Sequence, residues 1–249
     1  MDDLRVLRYS EDGLIASLTL AQPERGNLID VAFLEDLARV CDHLEDHSKA
    51  RVVVIRGDGP DFCRGIDFGE FKPGEPIDIH GFGKWEKALV RLERLPKTTI
   101  AALHGRVDGG GFQLALVCDQ RIARVDTRMS LPEVRLGILP GMATFRLAKY
   151  LGLGRARDLI LTGREVDAAE ALQLGLVGAV VEDLEARVTE AAATLAPMYP
   201  VALQLAKRLL DESFQDSFED AIGHFLAAQY RCVNHEAFQR SLERLRDGE

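Results

Sequence analysis

HGRVDGGGFQLALVCDQRIARVDTRMSLPEVRLGILPGMATFR, residues His104 to Arg146, decides how this chain is read. It follows a stretch that reads as a strand, Thr98–Leu103, and passes three consecutive glycines, Gly109, Gly110 and Gly111. Phe112, Leu114, Ala115, Val117 and Cys118 then recur at helical spacing. Glycine lets backbones approach closely and adopt φ/ψ values closed to other residues. A helix start leaves N–H groups without intrahelical partners, and the positive end of the macrodipole lies there too. Such donors suit a developing negative charge. About twenty residues on, Pro132-Glu133 places a carboxylate in an otherwise apolar segment, ahead of Leu139-Pro140-Gly141. An oxyanion site followed by a semi-buried carboxylate is equipment for forming and quenching an enolate. The same residues also describe a glycine turn packing a helix on a strand, with a glutamate facing water.

Working outward, Leu4–Arg8 and Leu14–Leu20 alternate like paired strands across Asp12-Gly13. Gln22–Asn27 is a loop by its turn residues. Phe33, Leu34, Leu37, Val40, Cys41 and Leu44 recur at helical spacing, and Arg51–Gly57 reads as a buried strand. Residues 72–84 carry Pro73, Gly74, Pro76, Gly81 and Gly83; this loose stretch is either an active-site lid or a surface insertion. Trp85, Leu89, Leu92 and Leu95 mark an amphipathic helix. Helices are expected over Arg146–Leu151 and Ala156–Leu161. Asp167 to Glu170 has capping-box spacing, Gly175 suits the C′ position, and Gly178–Val181 is a short strand. Beyond it the pattern is helical: Leu184–Leu195, Pro200–Leu210 and roughly Phe218–Leu245. The expected organisation is therefore an α/β core over residues 1–195 and a helical region over 196–249.

Composition narrows the function classes. The 249 residues are 47% hydrophobic and 29% charged, ordinary for a soluble globular chain. A net charge of −9 argues against nucleic acid or an anionic membrane as main partner, since those need basic surface. No CxxC or other metal spacing joins Cys41, Cys63, Cys118 and Cys232, so free thiols and no metal site are expected. The start, Met1-Asp2-Asp3, has no signal-peptide character and no run is long enough to span a bilayer, pointing to the cytoplasm.

Five separated segments, in order, resemble the crotonase (enoyl-CoA hydratase/isomerase) superfamily. Gln22–Asn27 resembles its Pro-x-x-x-Asn loop, and Phe62–Asp67 its F-[SA]-A-G-[AG]-D turn. Thr99–Gly111 resembles the strand with the glycine triplet, and Met129–Gly141 the P-E-x-x-x-G-[IL]-x-P-G segment. Leu161–Val177 resembles the L-T-G-x-x-x-x-A-x-x-A-x-x-x-G-L-V run. The resemblance implies a spiral of ββα units with a C-terminal helical trimerisation module, in a homotrimer or dimer of trimers. It implies an acyl thioester substrate on coenzyme A, or on the phosphopantetheine of an acyl-carrier protein, and no permanently bound cofactor. Carried over by position, the backbone N–H groups of Ile66 and Gly110 are the oxyanion donors. Cys63, Ile66, Asp67 and Phe68 wrap the adenine and pantetheine, and Arg25 approaches the nucleotide phosphates.

Departures from the pattern bear on the reaction. Family hydratases hold a water between two glutamates; Glu133 matches the second, but the first position is Gln113, an amide that cannot take a proton. One carboxylate resembles the family's Δ3,Δ2-enoyl-CoA isomerases, so double-bond isomerisation with Glu133 as base is favoured. Gly111-Phe112-Gln113 with Asp119-Gln120-Arg121 and His235-Glu236-Ala237-Phe238-Gln239 is similar to carboxymethylproline synthases. Pro140–Phe145 resembles the decarboxylating crotonases of polyketide pathways. Decarboxylation of a malonyl- or glutaconyl-type thioester, with or without C–C bond formation, is therefore the first alternative, followed by hydration and a non-catalytic thioester-binding role. Asp108, where the family has an apolar residue, either caps the following helix or adds a second acid to the pocket.

Overall fold

The structure, a computed structural model, describes Met1 and residues 3–247, apart from the side chains of Glu70 and Asp247. It divides into two compact units, Met1–Ala196 and Pro197–Glu249.

In the first unit, β1 (Leu7–Asp12) pairs antiparallel with β2 (Ile15–Leu20). The first strand thus begins and ends later than the sequence alternation suggests. Asp36, on helix α1 (Val31–Asp46), accepts hydrogen bonds from the N–H groups of Arg5, Val6 and Leu7. Those donors are therefore spent on a helix rather than on a sheet partner. Four parallel strands extend the sheet: β3 (Val52–Gly57), β4 (Thr98–Leu103), β6 (Gln120–Arg124) and β9 (Ala179–Val181), in the order β1-β2-β3-β4-β6-β9. A second sheet joins β5 (Arg106–Asp108), β7 (Arg128–Ser130) and β8 (Glu165–Asp167).

The central strands are apolar at successive positions because both faces of the sheet are covered. Val53, Ile55, Ala101 and Leu103 enter the main core with α1, Trp85, Leu89 and Leu92. Val52, Val54, Ile100, Ala102 and Ile122 face the other way, onto Val188, Ala191 and Ala192 of α7 (Leu184–Leu195). Burying each Val, Ile or Leu contributes about 1.5–3 kcal/mol.

Helix α2 (Ile79–Glu93) begins inside the expected loose stretch, with Asp78 accepting from the His80 N–H at its start. The run without helix or strand that precedes it, from Phe71 to Asp78, is therefore shorter than the glycines suggest. After α3 (Gly110–Leu116) come α4 (Ala143–Leu151), α5 (Leu153–Thr162) and α6 (Ala168–Leu174). Asp167 caps α6 through the Glu170 N–H and Gly175 ends it at φ 82°, but Glu170 completes no capping box, because its carboxylate binds Arg164.

The second unit holds α8 (Pro200–Glu212), α9 (Phe218–Val233) and α10 (Glu236–Asp247). The single helix expected from Phe218 to Leu245 is broken at Asn234 and His235. The Asn234 amide donates to the Tyr230 carbonyl and the His235 ring accepts from the Ala237 N–H, so side chains satisfy both ends. Among the described residues no helix is long and apolar enough to cross a membrane.

Candidate active site

The candidate site forms where two loops of the first unit meet. A short parallel bridge joins Cys63 to Val107: the Cys63 N–H donates to the Arg106 carbonyl at 3.1 Å, and its carbonyl accepts from Asp108 N–H at 2.9 Å. The loop is held from behind by Asn27, whose amide nitrogen donates to the carbonyls of Asp58, Asp61 and Phe62. A second bridge, Ile29 with Ile66, uses the N–H groups of Ile29 and Asp67 and leaves that of Ile66 pointing away from it.

Gly109, at φ 50° and ψ −114°, turns the chain from β5 into α3. A methyl group at Gly111 would lie 2.4 Å from the Cys63 carbonyl oxygen, so the helix can approach the loop only with glycine there. As a result Gly110 sits against Ile66: a Cβ at Gly110 would fall 3.5 Å from the Ile66 nitrogen. Neither N–H donates to another protein group among the described residues. Two free donors on adjacent backbones can bind one oxyanion.

Strand β7 ends in a 3₁₀ turn, Pro132–Leu136, that carries Glu133. Glu133 is buried, as its apolar setting suggests: of the flanking residues Met129 and Leu131 are buried, while Leu136 is largely exposed. The glycine turn lies against the carboxylate as well: a methyl at Gly109 would meet Glu133 Oε1 at 2.9 Å. Glu133 is 6% exposed and its Oε2 has no hydrogen-bond partner among the described residues. Burial raises its pKa to about 6, with the Asp108 charge adding to the shift; its own N–H and the Gln113 amide oppose it.

The pocket in front of these groups has a volume of about 210 Å³. Ile66, Gly110, Gln113 and Glu133 line it together, with Phe68 at its edge, so five expected site residues share one cavity. Others do not reach it. The Asp108 carboxylate is bound by Ser130 Oγ at 2.6 Å and by Arg106, and it does not cap α3. It acts on the site through charge. The Cys63 thiol is wholly buried, donates to the Asn27 carbonyl, and is pushed up to about 12 by burial. Asp67 holds the Gly69 N–H and pairs with Arg25, which also meets Asp30 at 3.3 Å. Arg25 is thus already neutralised. Arg64, unremarked in the sequence, lines the pocket without an acceptor among the described residues, its stem lying across Gly26. His235 belongs to the second unit.

Helix α2 supplies what sequence reasoning missed. Phe82, Trp85 and Glu86 all line the pocket. Glu86 accepts from the Met142 N–H at 2.9 Å through Oε1 and from Arg146 at 3.1 Å through Oε2. Arg146 is nearly buried; burial works against its charge, but Glu93 and Glu86 hold its pKa above the usual value. The available signal was the seven-residue spacing of Glu86 and Glu93, which puts both on one helix face. Among the described residues, the acids and histidine close enough to share a metal ion are Glu212, Asp216 and His224, none of which lines this pocket.

Layered α/β sheets, a glycine-built pair of free N–H donors and a buried carboxylate define a protein of the crotonase fold. More narrowly, residues 10–247 match the enoyl-CoA hydratase/isomerase family model, and the chain belongs to that family. It is 35% identical over 239 residues to the short-chain-enoyl-CoA hydratase of Clostridium acetobutylicum, covering 94% of this chain and 92% of that one. To the mitochondrial Δ(3,5)-Δ(2,4)-dienoyl-CoA isomerase of Dictyostelium discoideum it is 28% identical, covering 87% and 79%. The crystal structure of an enoyl-CoA hydratase from Bacillus anthracis superposes with a TM-score of 0.93 at 29% identity, covering 98% and 97%.

Proposed function

We propose that this protein isomerises the double bond of an enoyl-CoA thioester by way of an enolate. The observation that carries the reading is the unpartnered Oε2 of buried Glu133, in one cavity with the free N–H groups of Ile66 and Gly110. Glu133 takes a proton from the α-carbon of a 3-enoyl thioester. The electron pair moves onto the thioester oxygen, held by the two N–H donors, and Glu133 returns the proton at the γ-carbon. A carboxyl with pKa about 6 is matched to this shuttling near neutral pH. Losing one such donor costs on the order of 10²–10³ in rate in comparable sites.

The test is to offer 3-enoyl-CoA, 2-enoyl-CoA and saturated acyl-CoA thioesters in D₂O and follow product and deuterium uptake by mass. Isomerisation with deuterium entering the α- and γ-positions is expected; absence of both sinks the reading. Hydration is the second reading. It is favoured by a carboxylate other than Glu133, that of Glu86, standing beside Gln113 in the pocket.

A further inference from the structure

The Gln113 amide oxygen is buried, with the residue 2% exposed, and has no hydrogen-bond donor among the described residues. Leaving such a group unmet costs about 1–3 kcal/mol, so its surroundings should contain a partner when the enzyme is at work. Gly141 reveals what it faces. A Cβ at Gly141 would lie 2.6 Å from Gln113 Oε1 and equally 2.6 Å from Glu86 Oε1. The two oxygens are therefore no more than about 5 Å apart across a glycine at φ 44°. Both are acceptors, so neither can satisfy the other. A group with two donor hydrogens can bridge two acceptors up to that far apart through two O–H···O bonds of about 2.7 Å each. Water is such a group, and the adjoining cavity of about 210 Å³ has room for it.

We infer that Glu86, reaching in from α2, is a catalytic residue that holds and deprotonates a water shared with Gln113 Oε1. This rests on the thioester-enolate reading above and adds hydration to it. Gln113 occupies the position of the carboxylate that a two-glutamate hydratase needs, but it can only accept a hydrogen bond. Glu86 delivers a carboxylate to the same spot from a different element. Its Oε1 already takes the Met142 N–H and its Oε2 the Arg146 guanidinium, which fixes its direction; a carboxylate has lone pairs left for water. In the step itself, the water oxygen forms the C–O bond at the β-carbon and its proton passes to Glu86. The π pair moves to the thioester oxygen, and Glu133 supplies the proton that ends on the α-carbon. The two carboxyls then reset by exchanging one proton each, in opposite directions, with solvent.

The experiment compares Glu86→Gln with wild type in two assays on the full chain: hydration of crotonyl-CoA, and exchange of the α-protons of butyryl-CoA in D₂O. The glutamine keeps an acceptor for the Met142 N–H but cannot take a proton. Hydration should fall by about 10²-fold or more, the scale of general-base assistance, while exchange through Glu133 falls less than about threefold. Gln113→Leu, which leaves Glu86 and its ion pair in place, should also depress hydration more than exchange. Equal loss in both assays with Glu86→Gln would make it a structural residue and overturn the inference. So would unimpaired hydration, or a wild type that exchanges α-protons but never hydrates. A wild type that does neither sinks the enolate reading itself.

Discussion

Replacing Glu133 by glutamine should make the protein a worse enzyme and a more stable one, and the structure sets the size of both effects. Glu133 has a pKa of about 6 in the fold against an ordinary 4.5, because burial disfavours the charged form. The sign follows from linkage. A raised carboxyl pKa gives stability that is fully present below the unfolded value and is lost as pH rises through the folded one. At pH 8 the folded protein therefore carries a penalty of about 2 kcal/mol, from 1.36 kcal/mol per pKa unit. Near pH 5 the penalty is under about 1 kcal/mol, since the folded carboxyl is then mostly protonated. Glutamine has the same shape and no charge, so Glu133→Gln should raise the melting temperature at pH 8 and raise it much less at pH 5. The gain is a few degrees, given the usual relation between stability and Tm in chains of this size. Isomerisation and α-proton exchange should drop by about 10²-fold or more, and wild-type activity should fall as pH drops through about 6. Scanning calorimetry at both pH values, beside the deuterium-exchange assay, decides the matter. A variant no more stable than wild type at pH 8 would falsify the claim that the fold pays to bury this carboxylate.

Substitutions at three further positions probe the rest of the site. Gly110→Pro removes an N–H and should abolish turnover, whereas Gly110→Ala keeps the N–H while meeting the same crowding from Ile29 and Ile66, and should retain more activity; equal loss in both puts the oxyanion donor elsewhere. Arg64→Ala should raise KM for CoA thioesters, blunt its salt dependence and leave kcat within about twofold, because Arg64 lines the pocket without an acceptor among the described residues; an unchanged KM across salt concentrations removes it from binding. Asn27→Ala strips a donor from three carbonyls at a buried position with φ 54°, and should cost about 3 kcal/mol in urea unfolding. A loss below about 1 kcal/mol there means that water replaces the amide.

Much was legible in the sequence because local chemistry dictated it. The β-branched run at Val52–Gly57 and the apolar strand Thr98–Leu103 favour extended backbone, the glycine triplet permits a turn that other residues resist, and the elements fall where those patterns place them. Glu133 and Gln113 were identifiable because they stand a fixed number of residues from the triplet. Failures came where a distant partner overrode local preference. Strand β1 began late because Asp36 claimed the preceding N–H groups. Asp108 served Arg106 and Ser130 rather than a helix start.

The sequence by itself determined the strand–helix alternation and the family, since hydrophobic period and turn chemistry are properties of neighbours along the chain. It also determined that one of two expected carboxylates is an amide. Only the tertiary structure decided that a glycine turn from another segment lies against buried Glu133, and that Glu86 comes beside Gln113 at Gly141. Burial and convergence depend on which surfaces meet, and a helix face does not record which loop it will meet.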